Sequence, residues 1–559
     1  MSLRIRPLAA VALIACTAAP LAAQKSAPID LIVVNARVYT VDDATPTAQA
    51  FAVRAGRIAF VGTTADAMKL TGPSTRVIDA GGRPIIPGMT DAHAHLTGLG
   101  QALRIVDLTG TQTYDELIQR VVARAKTMPA GAWVTGRGWD QNAWPDKRFP
   151  THDALSRALP DQPVVLTRVD GHAVFANARA MDAARVDATT KDPDGGRIER
   201  DASGKPTGVF VDNAMRLVTR VVPNPTRDDV REMTLAAIAE SNRWGLTGVH
   251  DAGEGKQAID IYEELAKAGQ YNLRNYVMIS DGPGLDAFLA QPPKSALYNG
   301  RIWLRSVKLY ADGALGSRGA ALLDPYSDDP KNMGLLISSE QHLYDVSVKA
   351  LRAGYQVNTH AIGDRANRIT LDAYEKAFMA VPAARDPRFR IEHAQIIDPA
   401  DIPRFAKLHV IPSMQASHQT SDMYWAKDRL GEARLAGAYA WRSLLKTGVI
   451  IPNGSDFPVE FVNPLISFHS AVTRQDGKNW PEGGWRAQEK MTRDEALKSM
   501  TLWPAIAAFE EKSLGSISIG KYADFVILDE DIMTVAPEKI LATNVVATYL
   551  GGVAVYERK

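Results

Sequence analysis

A series of apolar, strand-like runs that each end in polar residues most constrains how this chain can fold. Seven such runs lie between residues 245 and 458, and an eighth precedes them at residues 84–95. Amphipathic helical stretches, for example at residues 340–354 and 366–380, separate several of the runs. Eight alternating units of this kind predict an α/β fold, a closed parallel (β/α)8 TIM-like barrel, with functional groups at the carboxyl ends of its strands.

A long interruption separates the first strand-like run from the second. Residues 84–95 and 245–253 are much further apart than the roughly 30 residues that one β–α repeat needs. We therefore expect an insertion over about residues 105–235 in a barrel that spans residues 86–505. At the carboxyl end of a barrel, such a segment either forms a lid or wall of a substrate pocket or is a peripheral stabilising domain.

Short strands are also predicted at both ends of the chain. β-Branched runs punctuated by glycine occur in residues 24–85 and again in residues 506–559. We expect the two segments to pair into one β-sandwich, which would bring both chain ends to the same side of the barrel.

The first 23 residues have the layout of a secretory signal peptide. Arg4 and Arg6 precede an apolar run that closes on small residues near Ala23, and this run is too short for a stable membrane span. Export to the periplasm or the medium, with cleavage near Ala23, is expected. The sole cysteine, Cys16, lies inside this segment, so an alternative is a lipobox in which Cys16 carries a lipid anchor.

Composition excludes several kinds of partner. The chain has 64 basic and 63 acidic residues, so charge gives no reason to expect binding to nucleic acid or to an anionic membrane surface. An apolar content of 46% is ordinary for a soluble globular protein. A small-molecule substrate is the expected partner, and assembly into a homo-oligomer is compatible with the sequence.

Residues of the kinds that bind metal ions occupy the ends of the strand-like runs. His93 and His95 are two positions apart on a strand and so point to the same side, although a chance pair on a loop is the alternative. Imidazole and carboxylate groups are ligands of divalent metals such as Zn²⁺. Four further candidates at the strand ends are Lys308, His360, His393 and Asp456.

Lys308 is unusual because it lies at the end of an apolar run, where an ammonium is costly to bury without a partner. Addition of CO2 to the amine would give a carbamate, which is an anionic oxygen donor able to bridge two metals. The alternative is an ordinary ion pair with a nearby carboxylate such as Asp312.

Four other residues are candidates for substrate contacts. His172 and His250 could hold a tetrahedral oxyanion or shape the pocket, although His250 could equally make a structural hydrogen bond. Arg318 could bind a substrate carboxylate or phosphate, or pair with Asp324. Trp139 could line an aromatic pocket wall or pack in a core. Neither a GxSxG elbow nor a Walker A loop occurs in the sequence.

Seven motifs together resemble the amidohydrolase superfamily of metal-dependent hydrolases, and more narrowly its amidohydrolase 3 or YtcJ-like branch, which includes N-substituted formamide deformylases. The resemblance covers nearly all of the chain after the predicted signal peptide. The motifs are PGMTDAHAHL, GRGWDQNAWP, VDGHAVFAN, SVKLYADGALGSRGA, NTHAIGDRA, IEHAQ and NGSDFPVE.

This resemblance implies a TIM barrel with a β-sandwich, a large insertion after the first strand, and one or two divalent metal ions. It also implies hydrolysis of an amide, formamide or N-acyl compound by a metal-activated hydroxide, with Asp456 as general base and acid. Cyclic amide, carbamate or ester hydrolysis and deamination are alternatives, and so is a non-catalytic binding protein. In the implied site His93 and His95 bind one metal, carboxylated Lys308 bridges, His360 and His393 hold the second metal, and Asp456 completes the set.

Overall fold

The computed structural model describes residues 28–559. The predicted signal peptide and Cys16 lie outside these residues. Within residues 28–559, no helix is both long and apolar enough to cross a lipid bilayer.

Eight parallel strands form the central sheet, and each pairs with the next in chain order. A short strand, Lys294–Ala296, pairs antiparallel with the fourth of them. This arrangement agrees with the predicted TIM-like barrel. The barrel strands are Met89–Ala94, Leu246–Glu254, Arg274–Ser280, Ile302–Tyr310, Gln356–Ala361, Arg390–His393, Ile411–Gln415 and Asn453–Gly454.

Backbone hydrogen bonds close the barrel between its last and first strands. The Asp456 N–H donates to the His93 carbonyl at 2.7 Å, and the His95 N–H donates to the Phe457 carbonyl at 2.9 Å. Gly454 permits this approach, because a Cβ at that position would lie 2.5 Å from the backbone nitrogen of His93. The first and last strands are therefore held in direct contact at their carboxyl ends.

The Asp91 carboxylate strengthens the same closure. It accepts the Ser455 hydroxyl at 2.6 Å and the Ser455 backbone N–H at 3.0 Å. It also accepts the backbone N–H of His93 at 3.2 Å. Asp91 thus fixes the backbone at the junction of the first and last strands and makes no hydrogen bond to an imidazole ring.

Helices cover the outside of the barrel and bury one apolar face against it. One of the two longest, Arg227–Arg243, begins at a capping box, in which Thr226 and Asp229 each accept the other's backbone N–H. The longer helices are Arg227–Arg243, Lys256–Lys267, Glu340–Ala353 and Asp364–Ala380. Shorter helices of the same region are Leu96–Ala102, Leu285–Leu289, Ile402–Leu408, Ala416–Asp422, Ala426–Arg434, Trp441–Leu445, Pro464–Thr473, Arg493–Ser499 and Leu502–Ala507.

A second sheet of six strands lies between the first and second barrel strands in the chain. Its spatial order is Gly196–Arg200, Pro206–Asp212, Ala173–Ala176, Val164–Arg168, Val134–Trp139 and Val106–Asp107. Helices Tyr114–Ala125, Asp153–Ala158, Ala178–Ala184 and Arg216–Thr219 accompany it. Neighbouring residues of one strand point to opposite faces, so Phe175 joins one hydrophobic core and Val174 another.

Trp139 belongs to the first of these cores. Its side chain is fully buried, and its indole N–H donates to the Leu166 carbonyl at 2.9 Å. The indole therefore packs inside the insertion, as the packing alternative anticipated, and does not line a pocket wall.

Two sheets beside the barrel are built from the chain ends. The six-stranded sheet has the order Val553–Glu557, Val545–Leu550, Phe525–Leu528, Pro84–Pro87, Arg37–Tyr39 and Thr47–Ala48. The four-stranded sheet has the order Arg57–Gly62, Ala50–Arg54, Leu31–Val34 and Arg76–Asp79. Residues of both sheets share one core, in which the rings of Phe51 and Phe525 are 4.9 Å apart.

A buried ion pair joins the barrel to the six-stranded sheet. The Arg274 guanidinium binds the Asp524 carboxylate through Nε and Nη2, with an Nη2–Oδ1 distance of 2.7 Å. The two side chains are only 4% and 6% exposed. Such a pair is costly to break, because a buried charge is then left without compensation.

We expect Asp524→Asn to lower the free energy of unfolding by about 3 kcal/mol or more, the usual cost of breaking a buried ion pair. The matched control is Asp260→Asn, which breaks the exposed Lys256–Asp260 pair and should change stability by about 0.5 kcal/mol or less. Urea denaturation of both variants measures the difference, and equal midpoints would contradict the role given to the pair.

Candidate metal centre

Three predicted ligands converge at the carboxyl end of the barrel. His93 and His393 lie at the ends of the first and sixth strands, and Asp456 follows the eighth. One ligand atom from each residue lies within 4.8 Å of the others, and all three residues are buried. Strands that are distant in the chain therefore deliver two imidazoles and one carboxylate to a single point.

The other three predicted ligands border this group. His95 Nε2 lies 3.1 Å from Asp456 Oδ1. Lys308 Nζ lies 3.1 Å from His93 Nε2. The His360 ring is 4.5 Å from the His393 ring, measured between centroids. The six residues that the sequence singled out thus lie together in the folded chain.

Two members of the cluster have left-handed backbone conformations. The φ angle is +73° at His393 and +62° at Asp456. Residues other than glycine rarely adopt such angles, which cost of order 1 kcal/mol or more and often occur at functional sites. The hydrogen bonds that close the barrel hold Asp456 in this conformation.

Acceptor side chains orient the imidazoles of the cluster. Glu392 Oε2 lies 2.5 Å from His93 Nδ1, and Gln415 Oε1 lies 2.7 Å from His393 Nδ1. Both Nδ1 atoms are therefore assigned as N–H donors, which leaves each Nε2 lone pair free to bind a metal. Glu392 was not predicted from the sequence. The sequence did contain a signal for it, because Arg390 and Glu392 are two charged residues on one face of a buried strand.

Burial keeps three imidazoles of the cluster uncharged. Burial, together with the nearby Lys308, lowers the pKa of His93 to about 4. Burial also holds the pKa values of His360 and His393 well below the usual value for histidine. At neutral pH these rings are therefore in the form that binds metal ions.

The Asp456 carboxylate is ionised in the same environment. Burial by itself would raise its pKa, but the neighbouring His95 and His93 outweigh burial and hold the pKa well below its usual range. At Lys308, burial instead disfavours the charged amine and lowers its pKa to about 8. The cluster thus combines neutral imidazoles with one anion, and these donors fit a divalent cation such as Zn²⁺.

Lys308 has no carboxylate within 4 Å among residues 28–559, although its side chain is buried. The ion pair with Asp312 that the sequence suggested is therefore not formed. Instead, the Asp312 carboxylate accepts backbone N–H groups from the loops around it. Its donors are Ala321, Ile362 and Gly363, at 2.8 to 2.9 Å.

A cavity of about 290 Å³ opens over the cluster. Strand ends of the barrel form one part of its wall, and residues of the insertion form another. The insertion contributes Thr109, Asp140, Arg168, Asp170 and His172. A neighbouring cavity of about 330 Å³ shares His172, His360, His393 and Asp456 with the first.

His172 lies where the sequence predicted a substrate contact. Its ring is 5.0 Å from the His360 ring and lines both cavities. Its Nδ1 is 2.7 Å from Asp212 Oδ1. Burial lowers the pKa of His172, but the hydrogen bond and charge of Asp212 outweigh burial and raise it overall. His172 can therefore present an N–H donor to a ligand.

His250 and Arg318 line neither of these cavities. His250 lies midway along the second barrel strand, and its Nδ1 is 2.8 Å from Arg390 Nη1, so it makes a structural hydrogen bond.

Arg318 forms an ion pair with Asp328 at 3.0 Å and not with Asp324. The chain between residues 318 and 328 folds back and places Asp328 beside the guanidinium.

His418 is a site residue that the sequence did not single out. It lies on the helix after the seventh barrel strand, and its Nε2 is 3.7 Å from Asp456 Oδ2. Its ring stacks on His393 at a centroid distance of 5.8 Å. Its position at the end of a strand-like run was the available signal, the same one that marked His360 and His393.

The sequence profile of the amidohydrolase family matches residues 76–556. The chain belongs to the amidohydrolase family. The predicted membership is thereby confirmed, and the metal-binding cluster lies entirely within the matched region of this amidohydrolase.

Several known proteins are similar to this amidohydrolase over most of their length. The putative amidohydrolase YtcJ of Bacillus subtilis is 34% identical over 88% of this chain and 92% of its own. The N-substituted formamide deformylase of Arthrobacter pascens is 31% identical over 95% of this chain and 98% of its own. The crystal structure of an uncharacterized metal-dependent hydrolase from Pyrococcus horikoshii OT3 has a TM-score of 0.74 and 26% identity, covering 91% of this chain and 99% of that chain.

We expect Gln415→Ala to weaken metal binding about 10- to 100-fold, because the His393 ring loses the acceptor that fixes its tautomer and orientation. Competition with a chromogenic chelator measures the affinity. Gln419→Ala is the matched control, since Gln419 is also buried but, among residues 28–559, makes no hydrogen bond to an imidazole. Equal affinities for the two variants would contradict the orienting role of Gln415.

Proposed function

We propose that this amidohydrolase is a metal-dependent hydrolase of a non-peptide C–N bond in an amide, formamide or N-acyl compound. The convergence of His93, His393 and Asp456 beneath an open cavity carries the proposal. The similarity to an N-substituted formamide deformylase supports the choice of bond.

The donor set suits one or two divalent cations, with Zn²⁺ favoured by the predominance of imidazole. His93, His393 and Asp456 would hold one ion, and His95, His360 and Lys308 lie close enough to complete the coordination. A cation bound there would lower the pKa of a water molecule to about 7 and polarise the scissile carbonyl.

Asp456 is the proposed general base and acid. Its ionised carboxylate can accept a proton from the attacking water and then deliver that proton to the departing nitrogen. His95, on one side of the carboxylate, keeps Oδ1 directed toward the cluster. His172 can donate a hydrogen bond to the carbonyl oxygen as negative charge develops on it.

Lys308 is proposed to be N6-carboxylated. The amine is buried beside an imidazole and forms no ion pair with a carboxylate of residues 28–559, so a cation there is only partly compensated by the more distant Glu392 and Asp456. Attack of the neutral amine on CO2 would form an N–C bond and release one proton, giving a carbamate anion. That anion would replace an unfavourable charge with oxygen donors for the metal site.

Three further features belong to the same proposal. The sheets from the two chain ends would act as the β-sandwich that accompanies the barrel, and the insertion over residues 105–235 would form a wall of the substrate pocket. Residues 1–23 would direct export. Among the alternatives, cyclic amide, carbamate or ester hydrolysis and deamination would use the same residues.

A hydrolysis screen with the metal-loaded protein tests the proposed bond class. The panel comprises N-substituted formamides, N-acyl amines, cyclic amides and esters, and release of amine, acid or alcohol is measured. Turnover of formamides or N-acyl amines is expected. Turnover of esters alone would replace the proposal with its alternative.

Asp456→Asn should lower kcat by about 10²-fold or more, the usual size of a general acid–base contribution. The histidines should still retain much of the bound metal. Elemental analysis and hydrolysis rates measure the two effects separately. Asp260→Asn, at a solvent-accessible position of helix Lys256–Lys267, is the control. A kcat equal to that of the wild type would remove Asp456 from the base role.

Lys308→Ala should lose activity that short-chain carboxylates such as formate or acetate, added with metal, partly restore. Wild-type protein equilibrated with ¹³C-bicarbonate should show a carbamate resonance that this variant lacks. Lys256→Ala, which removes an exposed amine, is the control. Full activity of Lys308→Ala, or no carbamate signal in the wild type, would refute carboxylation.

A further inference from the structure

Two carboxylates that line the 290 Å³ cavity lie near His418 but form no ion pair with a lysine or arginine of residues 28–559. Asp422 and Glu460 both line this cavity, and neither lines the neighbouring cavity that contains Lys308. No lysine or arginine among residues 28–559 lies within 4 Å of either carboxylate. The pair therefore adds acidic groups to a part of the cavity wall that does not extend into the neighbouring cavity beside Lys308.

Each of these carboxylates accepts hydrogen bonds from the described residues through only one of its two oxygens. Asp422 Oδ2 accepts the Tyr439 hydroxyl at 2.6 Å and Gln395 Nε2 at 2.8 Å. Glu460 Oε1 accepts the Ser421 hydroxyl at 2.6 Å. Asp422 Oδ1 and Glu460 Oε2 receive no hydrogen bond within the described part of the chain. The side chains are thus fixed in place, and each keeps one acceptor free for a ligand.

The cation that lines the cavity does not neutralise this pair. Arg168 is the one lysine or arginine among the described residues of the cavity wall. Its guanidinium is bound instead by Asp140, by Asp170 at 2.6 Å and by Gln141 at 2.8 Å. The charge of Arg168 is therefore already balanced by carboxylates of the insertion, and Asp422 adds only a longer-range attraction to it.

A buried nitrogen in the same wall also points to a ligand. His418 is 8% exposed, and its Nε2 makes no hydrogen bond to any residue in the described range. An unpartnered buried polar atom is costly, and a ligand in the cavity would satisfy it. His418 lies between Asp456 and the helix end at Asp422, so a molecule that reaches from the cluster to the acidic pair passes beside it.

Aromatic side chains complete this part of the wall. Trp425 and Phe461 line the cavity, and Phe461 is 62% exposed at its mouth. Aromatic faces attract organic cations in addition to excluding water. The wall thus offers free carboxylate oxygens and aromatic rings, which together suit an organic cation better than a neutral or anionic group.

We propose that the substrate carries a protonated amine, which Asp422 and Glu460 bind while its amide carbonyl lies over the metal-binding cluster. This inference rests on the proposed hydrolase function and specifies its substrate class. Substrates with a free carboxylate at this end, such as N-acyl amino acids, are disfavoured by the same charges.

The electrostatics of the pair support this assignment. Burial raises the pKa of Asp422 to about 7, against the opposing effects of nearby His418 and the Tyr439 hydrogen bond and with a smaller contribution from the charge of Glu460. Burial also raises the pKa of Glu460. These shifts mean that the two anions are destabilised in the empty cavity, and a bound ammonium would stabilise them.

Three amides that differ only in a distal ammonium, hydroxyl or carboxylate group test the proposal on the metal-loaded protein. The wild type should have a kcat/KM for the ammonium compound at least about tenfold above that for the hydroxyl compound, which corresponds to roughly 1.4 kcal/mol. Asp422→Asn and Glu460→Gln should each reduce this ratio several-fold, and the double variant should abolish the preference. Glu538→Gln, which removes an exposed carboxylate far from the cavity, should keep it.

Binding separates failure of this inference from failure of the hydrolase function. Calorimetry measures the affinity of ketone analogues, in which CH2 replaces the amide NH, so that no turnover is required. The ammonium ketone should bind the wild type about tenfold more tightly than the hydroxyl ketone and lose this advantage in the double variant. Equal affinities, or a preference unchanged in the double variant, would overturn the acidic subsite whether or not any amide is hydrolysed.

Discussion

The contact between the first and last barrel strands is the constraint on which the site depends. Backbone hydrogen bonds from Asp456 to His93 and from His95 to Phe457 close the barrel and bring both strand ends into register. Gly454 allows the strands to approach, and Asp91 ties Ser455 to the first strand. The same bonds that complete the fold therefore set the distance between the imidazoles of the first strand and the carboxylate after the last.

Burial gives this cluster its chemical character. Removal from water keeps His93 and His393 neutral, while their Nδ1 atoms are held by Glu392 and Gln415. The same burial makes an ammonium at Lys308 unfavourable, because the nearby charges of Glu392 and Asp456 offset only part of the cost of removing it from water. Burying these polar groups away from water costs free energy. A divalent cation bound to the donor atoms would offset most of that cost.

The barrel and the six cluster residues could be predicted from the sequence, because apolar runs mark parallel strands and ligand types at their ends must meet at one rim. Contacts between side chains of different strands could not be predicted in this way. Glu392 and His418 lie at the ends of strand-like runs, but their contacts with His93 and Asp456 follow only from the folded structure, and Arg318 pairs with Asp328 through a local turn. Trp139 shows the same limit, because the hydrophobic pattern of the sequence does not distinguish a residue in the core of the insertion from one that lines a cavity.

Titration of metal-stripped protein with Zn²⁺ tests the central claim most directly. Bound metal and the rate of hydrolysis of an N-substituted formamide are followed in the same samples. The account predicts that the rate rises in proportion to bound metal and saturates at one or two equivalents per chain. A rate that is already maximal in the stripped protein, or that does not change as metal binds, would contradict it.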